Sequence, residues 1–244
     1  MRRSIALVIT LLACPILVGC GQSSGLQLIG YYSTSLVGRT PNQLHNAELA
    51  SKHLNGKKVN PGAEFSFNKT LLGWDAGRGY RKAPVSYNGT LVDSWGGGVC
   101  QTSTTLYNAA LSAGLTITQR NTHRFAPSYV PPGRDAAVAY ESIDLTFKNP
   151  YNFPVVILAE RQGERIVCRI MATQKPSDLP VIETRIEDRK SKGTWYLRDQ
   201  GEGYKVRNSG KDGFTVQTYR RYGTRREWVS SDFYHAMDKV IALD

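Results

Sequence analysis

The sequence predicts an α+β fold: a largely antiparallel sheet around a central helix, followed by a small β-rich module. Three observations carry that expectation. Helical patterning is confined to two segments, residues 40–54 and 99–113. The rest of the first 175 residues consists of short apolar or alternating runs broken by Gly, Pro and Asn turns. Beyond the stretch Lys175-Pro176-Ser177-Asp178-Leu179-Pro180 the composition turns basic and aromatic, which marks a boundary.

Taken in order, residues 26–33 are apolar and aromatic and predict a first strand. Thr40-Pro41-Asn42-Gln43 reads as a helix start, with Thr40 as cap, Pro41 in the first turn and Gln43 closing a capping box. That helix ends at Asn55-Gly56, and its His45 and His53 read as surface residues. A Pro61-Gly62 turn leads into a short strand with Phe65 and Phe67 on one face. Residues 71–81 are loop-like. Residues 83–87 and 91–93 flank Asn88-Gly89, a hairpin turn. A second helix follows Gly96-Gly97-Gly98 and ends before Gly114, with its apolar stripe on Leu106, Ala109, Ala110, Leu111 and Ala113. Residues 116–120 predict a strand, 129–135 a rigid turn, and 137–147 strand-bearing chain with Ile143, Leu145 and Phe147 on one face. Residues 155–160 and 165–172 form a hairpin around Arg161-Gln162-Gly163-Glu164. Two helices at most are expected. The tail, with Phe214 to Tyr219 and a Tyr222-Gly223 turn, predicts a small β module.

The totals bound the function. A chain of 244 residues with 41% hydrophobic and 21% charged residues is globular rather than disordered. Net charge is +11 and the pI about 9.6, which draws the protein to anionic surfaces. No basic run with interleaved aromatics supports nucleic acid as the partner. Met1-Arg2-Arg3 followed by apolar residues 5–18 has the layout of an export signal. It ends in Leu17-Val18-Gly19-Cys20, which resembles a bacterial lipobox. The expected organisation is therefore a signal peptide over 1–19 and a lipid on Cys20 with a tether over 20–29. An α+β domain over 30–175 and a basic β module over 181–244 complete it. Such a protein faces the extracytoplasmic space, anchored to a membrane through Cys20.

Export leaves two cysteines in the folded part. Cys168 alternates with Ile166 and Ile170 on one strand face and reads as a buried thiol; a Cys100–Cys168 disulfide stays open in an oxidising compartment. Cys100 is different, because it follows a triple-glycine turn at a helix start. There unpaired N–H groups and the helix dipole favour a thiolate. His123 follows, then Asp135 and Asp144, either of which can orient an imidazole. Gly96, Gly97, Gly98 and Gln101 are candidates for holding an oxyanion or a ligand, with Arg134 beside them. Tyr107, seven residues after Cys100, reads as core. These residues have no metal-ligand spacing, and no cofactor is implied.

Asn60-Pro61-Gly62 with Phe65-Ser66-Phe67-Asn68, Arg78-Gly79-Tyr80 with Ala83-Pro84, and Gly96 to Gln101 form an ordered set. It continues through Leu106-Tyr107-Asn108-Ala109, Ala113-Gly114-Leu115, His123, Tyr129 to Asp135, Tyr140, Asp144 and Asn149. In these residues the chain resembles the VanW family of bacterial envelope proteins over about 57–172, with a looser likeness after 180 to a small β tail that often follows. The resemblance implies an exported or membrane-anchored protein, often found beside modules associated with peptidoglycan; it does not imply drug resistance. Gln119-Arg120 stands where the family commonly has an acid-arginine pair, and Ala136 where threonine is usual. The order Cys, His, Asp is similar to that of papain-like and transglutaminase-like folds. Two functions follow as expectations: thiol-dependent acyl transfer on peptidoglycan peptides, by a peptidase or transpeptidase, or non-enzymatic binding of peptidoglycan or an anionic wall polymer with a structural Cys100.

Overall fold

The computed structural model describes residues 25–87, 90–198 and 204–243. The segment expected to direct export, the lipobox-like run with Cys20, and the turn expected at Asn88-Gly89 lie outside the described residues. The fold is α+β. Its main sheet takes β1 (Gln27–Ser35), β9 (Arg165–Ala172), β8 (Val155–Gln162) and β2 (Lys57–Val59) in that spatial order, all antiparallel. Two helices cover one face: α1 (Pro41–Leu54) and α3 (Val99–Ser112). Alternation explains the inward face. Val155, Ile157 and Ala159 on β8, with Ile166, Cys168 and Ile170 on β9, are buried against the helices.

The capping box at Thr40 forms as its residue types predict. Thr40 Oγ1 accepts from Gln43 N–H, and Gln43 Oε1 accepts from Thr40 N–H at 3.0 Å. The helix then buries Gln43, Asn46, Ala47, Ala50, Ser51 and Leu54, a stripe at spacings of three and four. α3 is buried almost all round and closes at Gly114, which has φ 74°. It crosses β1 at Gly30, where the backbones come so close that a Cβ on Gly30 would overlap the Ala109 carbonyl and lie 2.6 Å from Ala113 Cβ.

A second small sheet orders β3 (Glu64–Ser66), β7 (Thr146–Lys148) and β6 (Thr116–Gln119), with Phe65 stacked on Phe147 at 4.7 Å. Three local expectations change. Phe67 opens a short helix, α2 (Phe67–Leu71), because Ser66 caps it by accepting from Lys69 N–H; the described residues thus hold a third α-helix. Residues 137–145 carry only the isolated bridges Asn121–Ala137 and Ala139–Ile143, because the Val138, Ala139 and Ile143 carbonyls are taken up by the side chains of Cys100 and Asn68 rather than by a ladder. The β8–β9 hairpin turns on Gly163-Glu164 alone, since Gln162 pairs with Arg165. Both Cys100 and Cys168 are free thiols, and the disulfide left open by the sequence is absent.

β4 (Lys82–Tyr87) and β5 (Thr90–Trp95) form a separate ribbon ahead of α3. After residue 180 the chain builds two three-stranded sheets. One orders β10 (Val181–Lys190), β13 (Gly213–Tyr222) and β14 (Arg225–Tyr234); the other orders β11 (Thr194–Arg198), β15 (Lys239–Leu243) and β12 (Tyr204–Asn208). The first of these sheets packs on the α+β part. Thr218 Oγ1 donates to Gly133 O at 3.3 Å, and Arg220 reaches the Leu115 carbonyl.

Gly30 and Gly98 are sterically required. Gly98 has φ 109°, and a Cβ there would stand 2.5 Å from Gln43 O on α1. Gly98→Ala and Gly30→Ala are each expected to lower stability by about 2–3 kcal/mol, the upper range for overpacking a tight contact. Urea unfolding of the two variants measures this.

Candidate active site

Cys100 is the second residue of α3 and half-buried. The Gly96–Gly98 turn aims it there: Val99 N–H bonds Gly96 O, and Gln101 and Thr102 N–H groups both turn back to Gly98 O. Among the described residues the Cys100 N–H has no acceptor, so one orphan donor of the first turn lies beside the sulfur. The thiol donates to Val138 O at 3.4 Å. Burial pushes its pKa up, but the hydrogen bond and positive charge of His123 outweigh burial and hold it below the ordinary thiol value.

His123 owes its position to Asp135. One carboxylate oxygen, Oδ2, accepts from the His123 main-chain N–H at 2.7 Å and lies 2.6 Å from ring Nδ1. The grip on ring and backbone together fixes the imidazole plane and leaves Nε2 as the nitrogen for the sulfur. Burial disfavours the imidazolium; Asp135 and the Cys100 sulfur more than compensate and raise its pKa to about 10. Cys100 and His123 thus act on one another's charge: the imidazole favours the thiolate, and the sulfur favours the imidazolium.

Asp135 itself is fully buried. Its second oxygen, Oδ1, receives Arg120 Nη2 at 3.3 Å and the Tyr234 hydroxyl, and Arg120 Nε also bonds the Asp135 carbonyl at 2.6 Å. Burial raises the Asp135 pKa, and the His123, Arg120 and Tyr234 contacts bring it below the usual carboxylate range. Arg120 bonds Asp232 as well, at 2.6 Å. Two groups from β14, Asp232 and Tyr234, therefore complete a site whose other members lie a hundred residues earlier. Sequence reasoning missed Arg120, Asp232 and Tyr234, and short-range spacing holds no signal for them.

The loop bearing Asp135 is zipped onto one polar face of α3. Ser103 Oγ donates to Ala136 O at 2.5 Å, Thr104 Oγ1 accepts from Ala136 N–H at 3.0 Å, and Asn108 Nδ2 donates to Arg134 O at 2.6 Å. Cys100, Ser103, Thr104 and Asn108 follow helical spacing, so this face was legible as a polar stripe in a buried helix.

The other predicted site residues serve structure. Asp144 lies apart, accepting from Ser66 Oγ at 2.5 Å and from Asn68 and Leu145 N–H at 2.9 and 2.7 Å; the group touching His123 is Asp135. A Cβ on Gly97 would meet Ala83 O and Pro84 O at 2.8 Å, and one on Gly96 would strike Trp74, so these glycines pack against neighbours instead of lining a groove. Gln101 is buried and spends its amide on Thr34 Oγ1 and Ser35 O, which leaves no donor for an oxyanion. Arg134 bonds Asn108 and covers the Tyr32 ring. Tyr107 is core, beneath Arg120. Two clefts, of about 320 and 360 Å³, open elsewhere: one between β6 and β14, the other beside α2 and Tyr140. Neither is lined by Cys100 or His123. Among the described residues no group of three His, Cys, Asp or Glu suits a metal, and no helix is long and apolar enough to cross a membrane.

Tyr234→Phe removes one donor to a buried carboxylate and one acceptor for Gly133 N–H. A loss of about 1–3 kcal/mol is expected, read by urea unfolding monitored at the tryptophans.

Comparison with known proteins agrees with this architecture in extent. The family described as VanW-like protein matches residues 42–171. The uncharacterized protein YoaR of Bacillus subtilis is 38% identical over 147 residues, 60% of this chain and 48% of that protein. The vancomycin B-type resistance protein VanW of Enterococcus faecalis is 32% identical over 143 residues, 57% of this chain and 52% of that protein. The chain thus spans about half the length of these curated relatives. Among solved structures, the crystal structure of HP0197-G5 aligns with 27% of this chain and 97% of its own at 11% identity, with a TM-score of 0.17, too low to support inference. By the family match over more than half its length, the chain belongs to the VanW-like proteins.

Proposed function

We propose that this protein works at the bacterial cell envelope, lipid-anchored through Cys20 on the extracytoplasmic side, as a Cys-His-Asp acyl-transfer enzyme acting on peptidoglycan peptides. The observation that carries the reading is the buried Asp135 bound to His123, with the His123 imidazole lowering the Cys100 thiol pKa at a helix start. A merely structural cysteine has no need of an imidazolium held by a buried carboxylate.

In the proposed reaction the Cys100 thiolate attacks a peptide carbonyl carbon and forms a C–S bond. The oxygen becomes an oxyanion, for which the free Cys100 N–H is the available donor. His123 Nε2 gives its proton to the departing amine as the C–N bond breaks, leaving a thioester and a neutral imidazole. Water or a second amine then attacks the thioester, His123 takes the incoming proton, and the sulfur leaves as thiolate. Water gives hydrolysis; an amine gives transpeptidation. Asp135 holds the Nδ1 proton throughout.

The second reading is a wall-binding module with an inert Cys100. It is favoured by the clefts, neither of which includes the thiol. Thiol chemistry separates the two. Alkylation of Cys100 by iodoacetamide should proceed at pH 6–7 with an apparent pKa below the free-thiol value of roughly 8.5. A further rise is expected as His123 loses its proton near pH 10, because the freed thiolate is no longer ion-paired. Cys168, buried in the core with its pKa pushed up by burial, is the internal control. His123→Ala and Asp135→Asn should raise the Cys100 pKa, and each unit costs about tenfold in rate well below it. A Cys100 that titrates like a free thiol in the wild-type protein overturns the enzyme reading.

A further inference from the structure

Arg39 lies in the loop between β1 and α1, one residue before the Thr40 cap. Its guanidinium is held from two sides: Nε donates to Gln101 Oε1 at 2.9 Å, and the carbon sits 5.2 Å from the centre of the Tyr129 ring. Gln101, the residue after Cys100, is itself pinned at its amide nitrogen by Thr34 and Ser35. The Tyr129 hydroxyl is 3.5 Å from Thr104 Oγ1, one helical turn beyond Cys100 on the same face. Arg39 is thus tied to the start of α3 along two routes, through Gln101 and through Tyr129 to Thr104.

Arg39 differs from the arginines that form ion pairs. Arg120, Arg161, Arg169, Arg220 and Arg221 each face a carboxylate. Among the described residues no carboxylate lies within 4 Å of Arg39, and its two terminal nitrogens make no hydrogen bond. The side chain is half-exposed. A guanidinium immobilised through Nε and stacked on an aromatic ring, with its outer edge free, is pre-organised for a bidentate oxyanion.

We infer that Arg39 is the anion anchor of the Cys100 site and binds a carboxylate carried by the peptide substrate. The inference rests on the acyl-transfer reading and narrows its substrate to acidic or carboxylate-terminated peptides. A neutral peptide would leave the cation unmatched and lose the orientation that a two-point contact with thiol and anion provides.

The test needs no known substrate. Cys100 is alkylated in the full-length protein with iodoacetate and with iodoacetamide, which differ in charge. The iodoacetate-to-iodoacetamide rate ratio should exceed that of free cysteine. Arg39→Gln should lower it by about threefold or more, the size of one charge contact several ångströms away in a largely aqueous setting. Arg39→Lys should retain most of it. Protection of the thiol then locates the carboxylate. Acetyl-dialanine protecting better than its amide assigns a chain terminus, and acetyl-glutamate amide protecting better than acetyl-glutamine amide assigns a side chain; either effect should vanish in Arg39→Gln. A reactive thiol whose ratio ignores Arg39→Gln overturns the anchor and leaves the acyl-transfer reading intact. A wild-type thiol unreactive to both reagents overturns both.

Discussion

The candidate site depends on one buried carboxylate. Asp135 has no solvent exposure, yet its two oxygens receive the His123 main chain and ring, the Arg120 guanidinium and the Tyr234 hydroxyl. An ionised carboxylate taken out of water is tolerable only when its lone pairs are met by charge-assisted donors. Here the same donors that make burial possible also fix His123, and through it the charge state of Cys100. Stability and chemistry are therefore coupled at this residue.

That coupling explains why the C-terminal sheet packs where it does. Arg120 lies between Asp135 and Asp232, so one guanidinium bridges the α+β part and β14. Tyr234 reaches the same carboxylate while accepting from Gly133 N–H. A basic, aromatic module that composition alone would assign to surface binding thus has a second task, supporting the His123–Asp135 pair. Gln119 lines the cleft between the two parts, while Arg120 pairs with both Asp135 and Asp232.

The glycine turn shows a division of labour. Gly96, Gly97 and Gly98 permit close packing against Trp74, β4 and α1, and that packing sets the angle at which α3 begins. In the proposed reaction anion stabilisation then falls to the Cys100 N–H, and in the proposed recognition the ligand's charge meets a cation from the neighbouring loop. Gln101, adjacent in sequence, contributes by holding that cation still.

Periodicity and capping chemistry were enough to determine the two long helices and the core strands. Thr40-Pro41-Asn42-Gln43 specifies the start of α1, the run ending at Gly114 specifies α3, and the alternation around Cys168 specifies a core strand, because each depends on residues within one or two turns of one another. Cys100, His123 and Asp135 were legible as residue types in a suggestive order. Their contact was not, and neither was the choice of Asp135 over Asp144. Both acids sit in irregular chain, and the choice depends on which carboxylate the fold buries next to His123. Phe67 left its strand because Ser66 found a capping partner, and residues 137–145 lacked a ladder because side chains of α2 and α3, Asn68 and Cys100, took up their carbonyls. Arg120, Asp232, Tyr234 and Arg39 join the site through contacts across 15 to more than 100 residues. Only the tertiary structure decided those, since local pattern carries no information about which distant side chain satisfies a buried charge.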